Sequence, residues 1–139
     1  KNINNLIPQI LATIREEIPF LKIYGNDYET RDGTGIRDYI YIMDLAQGHV
    51  AALDYIRRNE GFGIFNLGTG KGYSVLEVVK VFEKIIQKEI PIKFLNRRKG
   101  DVSSCYADPS KANTFLDWET KLDLKEMCLS AWNFSNKKD

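Results

Sequence analysis

The stretch that decides the fold is GTGIRDYIYI (residues 33–42), where a glycine-rich loop changes into a run with alternating side chains. Alternation with a period of two predicts a β-strand with two different faces. One face of this strand is apolar apart from Asp38, and the other carries Arg37, Tyr39 and Tyr41. We expect the arginine–tyrosine face to be the ligand side.

A second basic segment, RRKGD (residues 97–101), lies far away in the chain. Arginine is planar and permanently charged, so it fits the oxygens of a phosphate group. Two arginines that converge from distant segments suit a diphosphate better than a single phosphate, and Asp101 could accept protons from sugar hydroxyls. A solvated turn is the alternative interpretation of residues 97–99, and Arg37 and Asp101 weigh against it.

The composition excludes several functional classes. The chain has 139 residues, 43% of them hydrophobic and 28% charged, which suits one soluble domain over residues 1–139. A net charge of +1 gives no field that would attract nucleic acid or a membrane. Two cysteines are too few for a disulfide scaffold and favour the cytoplasm, and one histidine cannot build a multi-histidine metal site. Because the sequence opens without a natural start, we expect a piece of a longer polypeptide.

Helices and strands alternate along the chain, which predicts an α/β fold. The predicted helices begin at residues 4–5, Asp44, Ser74, Asp108 and Asp123. The predicted strands cover residues 21–24, 36–42, 62–67 and 92–95. The first helix should stop at Pro19, and the second should carry Leu45, Val50, Leu53 and Ile56 and end before Gly61. Residues 62–67 are compactly apolar, which is typical of a buried parallel strand.

The segment GTGKG (residues 68–72) lies between a predicted strand and a predicted helix, where phosphate-binding loops are found. A dinucleotide fingerprint needs glycine in place of Tyr73, and a Walker A loop needs Ser or Thr after Lys71. We therefore interpret the segment as a turn built from small residues. No tyrosine is followed by lysine four residues later, so the sequence lacks the Tyr-x-x-x-Lys pair of short-chain dehydrogenases. We assign no catalytic, cofactor-binding or metal-binding residue.

Four segments carry a family resemblance, namely YGNDYETRDGTGIRDYI (24–40), DLAQGH (44–49), NLGTG (66–70) and RRKGDVSSCY (97–106). Extended short-chain dehydrogenases share the Arg-Asp and Asn-Leu-Gly elements. The Gly-Asn-Asp-Tyr loop and the Arg-Arg-x-Gly-Asp turn point to the UDP-glucose 4-epimerase branch. From about residue 4 to Trp132, the chain resembles the substrate domain of that branch.

The resemblance implies a small mixed α/β substrate domain that completes an N-terminal Rossmann domain, which binds NAD and is absent from this chain. The complete enzyme would be a cytoplasmic, homodimeric isomerase. In its reaction, hydride would leave C4 of a UDP-sugar for NAD and return to the other face of the sugar. The isolated chain would be inactive. Another nucleotide-sugar dehydratase or decarboxylase is one alternative, and a non-catalytic nucleotide-sugar-binding module is another.

The resemblance also implies the phosphate contacts. Arg37 and Arg98 would clamp the diphosphate of the UDP-sugar. Asn5 would reach the same phosphates, with the Leu6 backbone close by. Tyr39 would touch the region around Arg37.

The remaining implied contacts concern the nucleoside and the sugar. Tyr24 would flank the uracil, although phenylalanine is more usual at this position, and Asp101 would accept a hydrogen bond from the ribose. Cys105, four residues after Asp101, would lie beside the C2 substituent of the sugar. A small residue there leaves room for an N-acetyl group. The alternative is that Cys105 is a buried packing residue.

Overall fold

The computed structural model describes residues 5–136 and contains five helices and five strands within them. The helices are α1 (Leu6–Ile14), α2 (Ile42–Arg58), α3 (Val75–Ile86), α4 (Ser110–Leu116) and α5 (Leu124–Ser135). The strands are β1 (Leu21–Tyr24), β2 (Ile36–Asp38), β3 (Gly72–Ser74), β4 (Ile92–Leu95) and β5 (Ser104–Cys105). The mixed α/β fold expected from the sequence is confirmed.

The strands form two small sheets. β1 pairs in parallel with β4, and β2 lies between antiparallel β3 and parallel β5. The main core lies where α1, α3 and α5 pack on one another and on β1, around the fully buried Phe82, Ile10 and Leu21. A smaller core around Trp118 joins α2 to α4.

The capping signals in the sequence are confirmed at two helices. Ser74 accepts a hydrogen bond from the backbone of Glu77 at 3.1 Å, and the Glu77 carboxylate accepts one from the Ser74 backbone at 2.7 Å. Asp123 and Glu126 form the same reciprocal pair at the start of α5. Each pair satisfies amides that a helix terminus otherwise leaves without partners.

The first helix is shorter than predicted. α1 ends at Ile14 rather than near Pro19, because the backbone enters the left-handed region at Glu16, with φ of 60°. The Glu17 amide then donates to the Ala12 carbonyl at 2.9 Å and closes the helix. Ile18 therefore lies outside the helix to which the sequence pattern assigned it.

The boundary between β2 and α2 also differs from the prediction. The strand ends at Asp38, and α2 begins at Ile42, which the alternating pattern placed in the strand. Asp44, the predicted cap, lies inside the first turn of α2. Its carboxylate accepts hydrogen bonds from the backbones of Lys121 at 2.9 Å and Leu122 at 3.1 Å, so it fixes a loop instead of starting a helix.

The predicted buried strand over residues 62–67 is wrong. No strand forms there, and Phe62 is 90% exposed. Val50, Leu53 and Ile56 on α2 are exposed too. An apolar run becomes a buried strand only where a neighbouring strand and a covering layer exist, and residues 5–136 supply neither. Within that same range, no helix combines the length and apolar character needed to cross a bilayer.

Candidate functional site

A cavity of about 330 Å³, here called the site cavity, opens between α1, β1, β2 and residues 98–101. Seven of the eight residues singled out from the sequence line it, namely Asn5, Leu6, Tyr24, Arg37, Tyr39, Arg98 and Asp101. They come from four separate segments that the fold brings together. Cys105 is not among the lining residues.

Backbone carbonyls orient Arg37 within the site cavity. Its Nη1 donates to the carbonyls of Ile36 at 2.8 Å and Val102 at 2.9 Å. Its Nη2 lies 3.9 Å from the Asp101 carboxylate. Because the short contacts are to neutral carbonyls, most of the guanidinium charge is left to attract an anion.

Arg98 is held in a different way. Its guanidinium carbon lies 3.8 Å from the centre of the Tyr24 ring, a cation–π contact, and its side chain makes no hydrogen bond to any residue in the range 5–136. A ring face supports the guanidinium without using its N–H groups. Arg98 and Arg37 therefore present two guanidinium groups to one cavity.

The adjacent Arg97 has a structural role. Its Nε donates to the Asp27 carboxylate at 2.8 Å, its Nη2 donates to the Asp27 carbonyl, and its guanidinium lies 4.2 Å from the centre of the Tyr28 ring. The hydrogen bond from Arg97 holds the pKa of Asp27 below its usual value. Arg97 thereby joins the segment after β4 to the turn after β1, and the next residue, Arg98, faces the site cavity.

Gly25 allows this turn to pack closely. It follows β1 directly and has a φ of 84°, a conformation that favours glycine. A Cβ at this position would overlap the Tyr28 ring and lie 3.0 Å from Cγ of Arg97. Gly25 is therefore required for the contact between Tyr28 and Arg97.

Tyr39 contributes a neutral phenol to the site cavity. Burial raises its pKa to about 12, although the charge of Arg37 acts in the opposite direction. The phenol keeps its proton at neutral pH, so Tyr39 can donate a hydrogen bond to a phosphate oxygen and is not suited to act as a base.

The glycine-rich segment at residues 68–72 is engaged by Asp38. The Asp38 carboxylate accepts hydrogen bonds from the Thr69 hydroxyl at 2.6 Å and from the amides of Thr69, Gly70 and Ala107 at 3.0–3.2 Å. The amides that would cradle a phosphate are thus occupied by an internal carboxylate. This geometry supports the interpretation of the segment as a structural turn.

Cys105 lies in β5 directly opposite Arg37 of β2 in the strand register. Its side chain is exposed, so the alternative that it is a buried packing residue is wrong. The other cysteine, Cys128, is fully buried in the main core, and burial raises the pKa of its thiol to about 12.

Sequence reasoning missed six further lining residues, namely Gln9, Lys22, Ile23, Tyr28, Gly35 and Val75. Gln9 is only 7% exposed, and the Tyr28 hydroxyl is buried without a hydrogen-bond partner in the described range. One signal could have identified Gln9, because it follows Asn5 by four residues and so shares its helix face. No cluster of three potential metal ligands occurs among residues 5–136.

Comparison with known proteins places these features in a family. The family model for GDP-mannose 4,6 dehydratase matches residues 1–130. A UDP-glucose 4-epimerase of Bacillus subtilis (strain 168) is 50% identical over 133 residues, which make up 96% of this chain and 39% of that protein. The chain thus spans about two fifths of the length of the curated relatives that it matches.

Solved structures of UDP-glucose 4-epimerases are also similar to this chain. The UDP-glucose 4-epimerase of Bifidobacterium longum, in complex with NAD+ and UDP, is 47% identical and superposes with a TM-score of 0.91 over 96% of this chain and 39% of that one. The enzyme of Stenotrophomonas maltophila, with bound NAD and formylated UDP-arabinopyranose, is 39% identical with a TM-score of 0.92, over 96% and 40% of the two chains.

Proposed function

The chain belongs to the GDP-mannose 4,6 dehydratase family, and we propose that within this family it is the substrate-binding part of a UDP-hexose 4-epimerase that interconverts UDP-glucose and UDP-galactose. The relatives that are about half identical to it carry the name UDP-glucose 4-epimerase, which favours epimerisation over dehydration or decarboxylation.

The observation that carries this proposal is the convergence of Arg37 and Arg98 on one cavity that also contains an aromatic ring and a carboxylate. The two guanidinium groups suit the two phosphates of a nucleoside diphosphate. Tyr24 offers a face to the base, and Asp101 offers an acceptor to the ribose hydroxyls. Asn5 and the neutral phenol of Tyr39 add hydrogen-bond donors beside the phosphates.

In the proposed epimerase reaction, this chain anchors the nucleotide part of the substrate. The NAD of the complete enzyme supplies the hydride acceptor at C4 of the sugar. Arg37 and Arg98 hold the diphosphate throughout, so the sugar beyond it can turn its other face to the cofactor while the nucleotide stays in place. Binding energy from the remote nucleotide is thereby used to orient the reacting sugar.

We place the NAD site outside this chain, in an N-terminal Rossmann domain of the same polypeptide. The engagement of residues 68–72 by Asp38 supports this, because the phosphate-binding amides of the glycine-rich turn are occupied. The exposed apolar residues Phe62, Ile64 and Val50 would be covered by that domain. We also propose that the complete enzyme is a homodimer in the cytoplasm. The two free cysteines suit the reducing cytoplasm.

The test is an assay of the full-length protein and of residues 1–139 alone with UDP-galactose and NAD. The full-length protein should form UDP-glucose, and the isolated chain should not. A 4-keto-6-deoxy product would identify a dehydratase, and UDP binding without turnover by the full-length protein would identify a non-catalytic module. Turnover by the isolated chain above a no-protein control would contradict the placement of the catalytic groups.

A further inference from the structure

Two consecutive arginines stack on two tyrosines of the turn after β1. The guanidinium of Arg98 lies 3.8 Å from the centre of the Tyr24 ring, and that of Arg97 lies 4.2 Å from the centre of the Tyr28 ring. Both tyrosines line the site cavity, and so does Arg98, but Arg97 is not among the lining residues. One arginine is therefore available to a ligand, and its neighbour is held elsewhere.

The Arg97–Asp27 pair is more than an isolated surface ion pair. The Arg97 side chain is 46% exposed, so the charge attraction alone would contribute little. However, its Nε donates to the Asp27 carboxylate at 2.8 Å, and its Nη2 donates to the backbone carbonyl of the same residue. Two hydrogen bonds and the Tyr28 ring together fix the direction of the guanidinium.

Arg98 is held less firmly. Within residues 5–136 its side chain makes the contact with the Tyr24 ring but no hydrogen bond. A ring face attracts a guanidinium without fixing its direction, so the placement of the Arg98 charge depends on the backbone from which the side chain extends. The Arg97–Asp27 pair joins that backbone, one residue earlier, to the turn that follows Tyr24.

We propose that Arg97 and Asp27 are positioning residues for Arg98. Their pair keeps the backbone at residue 98 beside the Tyr24 ring, so the guanidinium is directed into the site cavity before a ligand binds. Such preorganisation lowers the cost of ordering a long side chain on binding. This inference rests on the proposed function, because it assumes that the ligand is the diphosphate of a UDP-sugar.

A direct effect of the two charges on an anionic ligand would have a different sign. Removal of the Arg97 cation would weaken the binding of UDP, and removal of the Asp27 carboxylate would strengthen it. The positioning role predicts weaker binding in both cases, because neither residue can hold the segment without the other. The sign of the Asp27 effect therefore separates the two explanations.

The test is calorimetric titration of UDP into the full-length protein. Asp27→Leu and Arg97→Leu should each weaken UDP binding roughly three- to tenfold, since Arg98 is then correctly placed in only a fraction of the molecules. The double variant should lose roughly as much as one single variant, and Asp27→Leu should change the affinity by less than about twofold in an Arg98→Ala background. Asp27→Asn keeps an acceptor for Arg97 and should bind UDP within roughly twofold of the wild type.

Arg31 is the matched control, because it joins two segments in the same way. Its Nη2 donates to the Glu77 carboxylate and, at 2.7 Å, to the Gly72 carbonyl, and its side chain is 50% exposed. It is not among the residues that line the site cavity. Arg31→Leu should lower the midpoint of urea unfolding but leave the UDP affinity within roughly twofold of the wild type.

Each outcome decides the inference. Weaker binding in both single variants, without additivity, supports it. Tighter binding of UDP by Asp27→Leu would overturn it in favour of a direct charge effect, and an unchanged affinity or a loss that persists without Arg98 would overturn it as well. The stoichiometry of each titration gives the fraction of competent protein, so unfolding is not mistaken for weaker binding. Failure of the wild type to bind UDP would be recognised separately, as failure of the proposed function itself.

Discussion

The guanidinium of Arg98 lies 3.8 Å from the centre of the Tyr24 ring. The side chain of Arg98 makes no hydrogen bond to another described residue, so this cation–π contact determines where its charge is placed. Tyr24 ends β1, and Arg98 lies in the turn that follows β4, the strand paired with β1. The sheet therefore brings together a ring and a cation that are 74 residues apart.

Removal of the ring should weaken nucleotide binding, both by releasing Arg98 and by removing the face that Tyr24 offers to the base. We expect Tyr24→Leu to reduce UDP affinity of the full-length protein by about 0.5–2 kcal/mol, which is the range of a cation–π contact. Tyr24→Phe keeps the ring and should bind UDP as the wild type does. Calorimetric titration measures both variants. Equal losses in Tyr24→Leu and Tyr24→Phe would show that the hydroxyl, not the ring, is important.

Asp38 should be essential for stability rather than for binding. Its carboxylate joins β2 to two other segments through Thr69, Gly70 and Ala107. Asp38→Ala leaves several backbone donors without partners and should lower the free energy of unfolding by about 3 kcal/mol. Asp54→Ala, an exposed change on α2, is the control and should change it by about 0.5 kcal/mol at most. A urea transition of Asp38→Ala at the wild-type midpoint would contradict this role.

Asp32 should make stability depend on acidic pH. Burial acts to raise its pKa, but hydrogen bonds from Ser74 and Thr34 outweigh burial and hold the pKa below the ordinary value of 3.8. The folded state therefore binds fewer protons than the unfolded state. Its contribution is complete above about pH 4 and is lost as the pH falls through the lowered folded pKa.

Asp32→Asn removes that titration, so the free energy of unfolding should fall less steeply with decreasing pH below 4. Urea unfolding between pH 2.5 and 6 measures the slope. Parallel profiles for Asp32→Asn and wild type would contradict the proton linkage.

Cys105 should decide which sugars the full-length enzyme accepts. We expect the wild type to interconvert UDP-N-acetylglucosamine and UDP-N-acetylgalactosamine as well as the unsubstituted pair. Cys105→Tyr should abolish the N-acetyl reaction and largely spare the galactose reaction, because only the larger C2 substituent clashes. The cysteine is exposed, so the tyrosine does not disturb the core. A wild-type enzyme without activity on the N-acetyl sugars would disprove the assignment.

Local signals predicted much of the fold. The Ser74–Glu77 pair marked the start of α3, and the limits of β1 and β4 were predicted correctly. The residues alone indicated Arg37 and the basic run 97–99 as phosphate ligands, and the choice of Arg98 within that run came from the family resemblance. These signals depend on neighbours in the sequence, so no knowledge of the tertiary structure was needed.

Features that depend on tertiary partners could not be predicted. The apolar sequence of residues 62–67 predicts a buried strand, but it does not reveal which surface would cover that strand. In the structure Phe62 is exposed. Ile42 continues the alternation of β2, yet it opens α2, because the strand ends at Asp38 and the alternating pattern does not show where pairing with β3 stops. Gln9 offered only its spacing of four residues from Asn5, since a glutamine in an amphipathic helix is usually solvated.

The most direct test of the central claim, that the site cavity binds the diphosphate of a UDP-sugar, is titration of UDP into Arg37→Ala, Arg98→Ala and Arg57→Ala variants of the full-length protein. Arg57 is an exposed arginine on α2 that pairs with Asp54 at 3.2 Å, so it is the matched control. Charge-assisted hydrogen bonds are worth about 1.5–3 kcal/mol, so Arg37→Ala and Arg98→Ala should each weaken binding roughly 10- to 150-fold, and Arg57→Ala should not. Equal affinities across the three variants would contradict the claim.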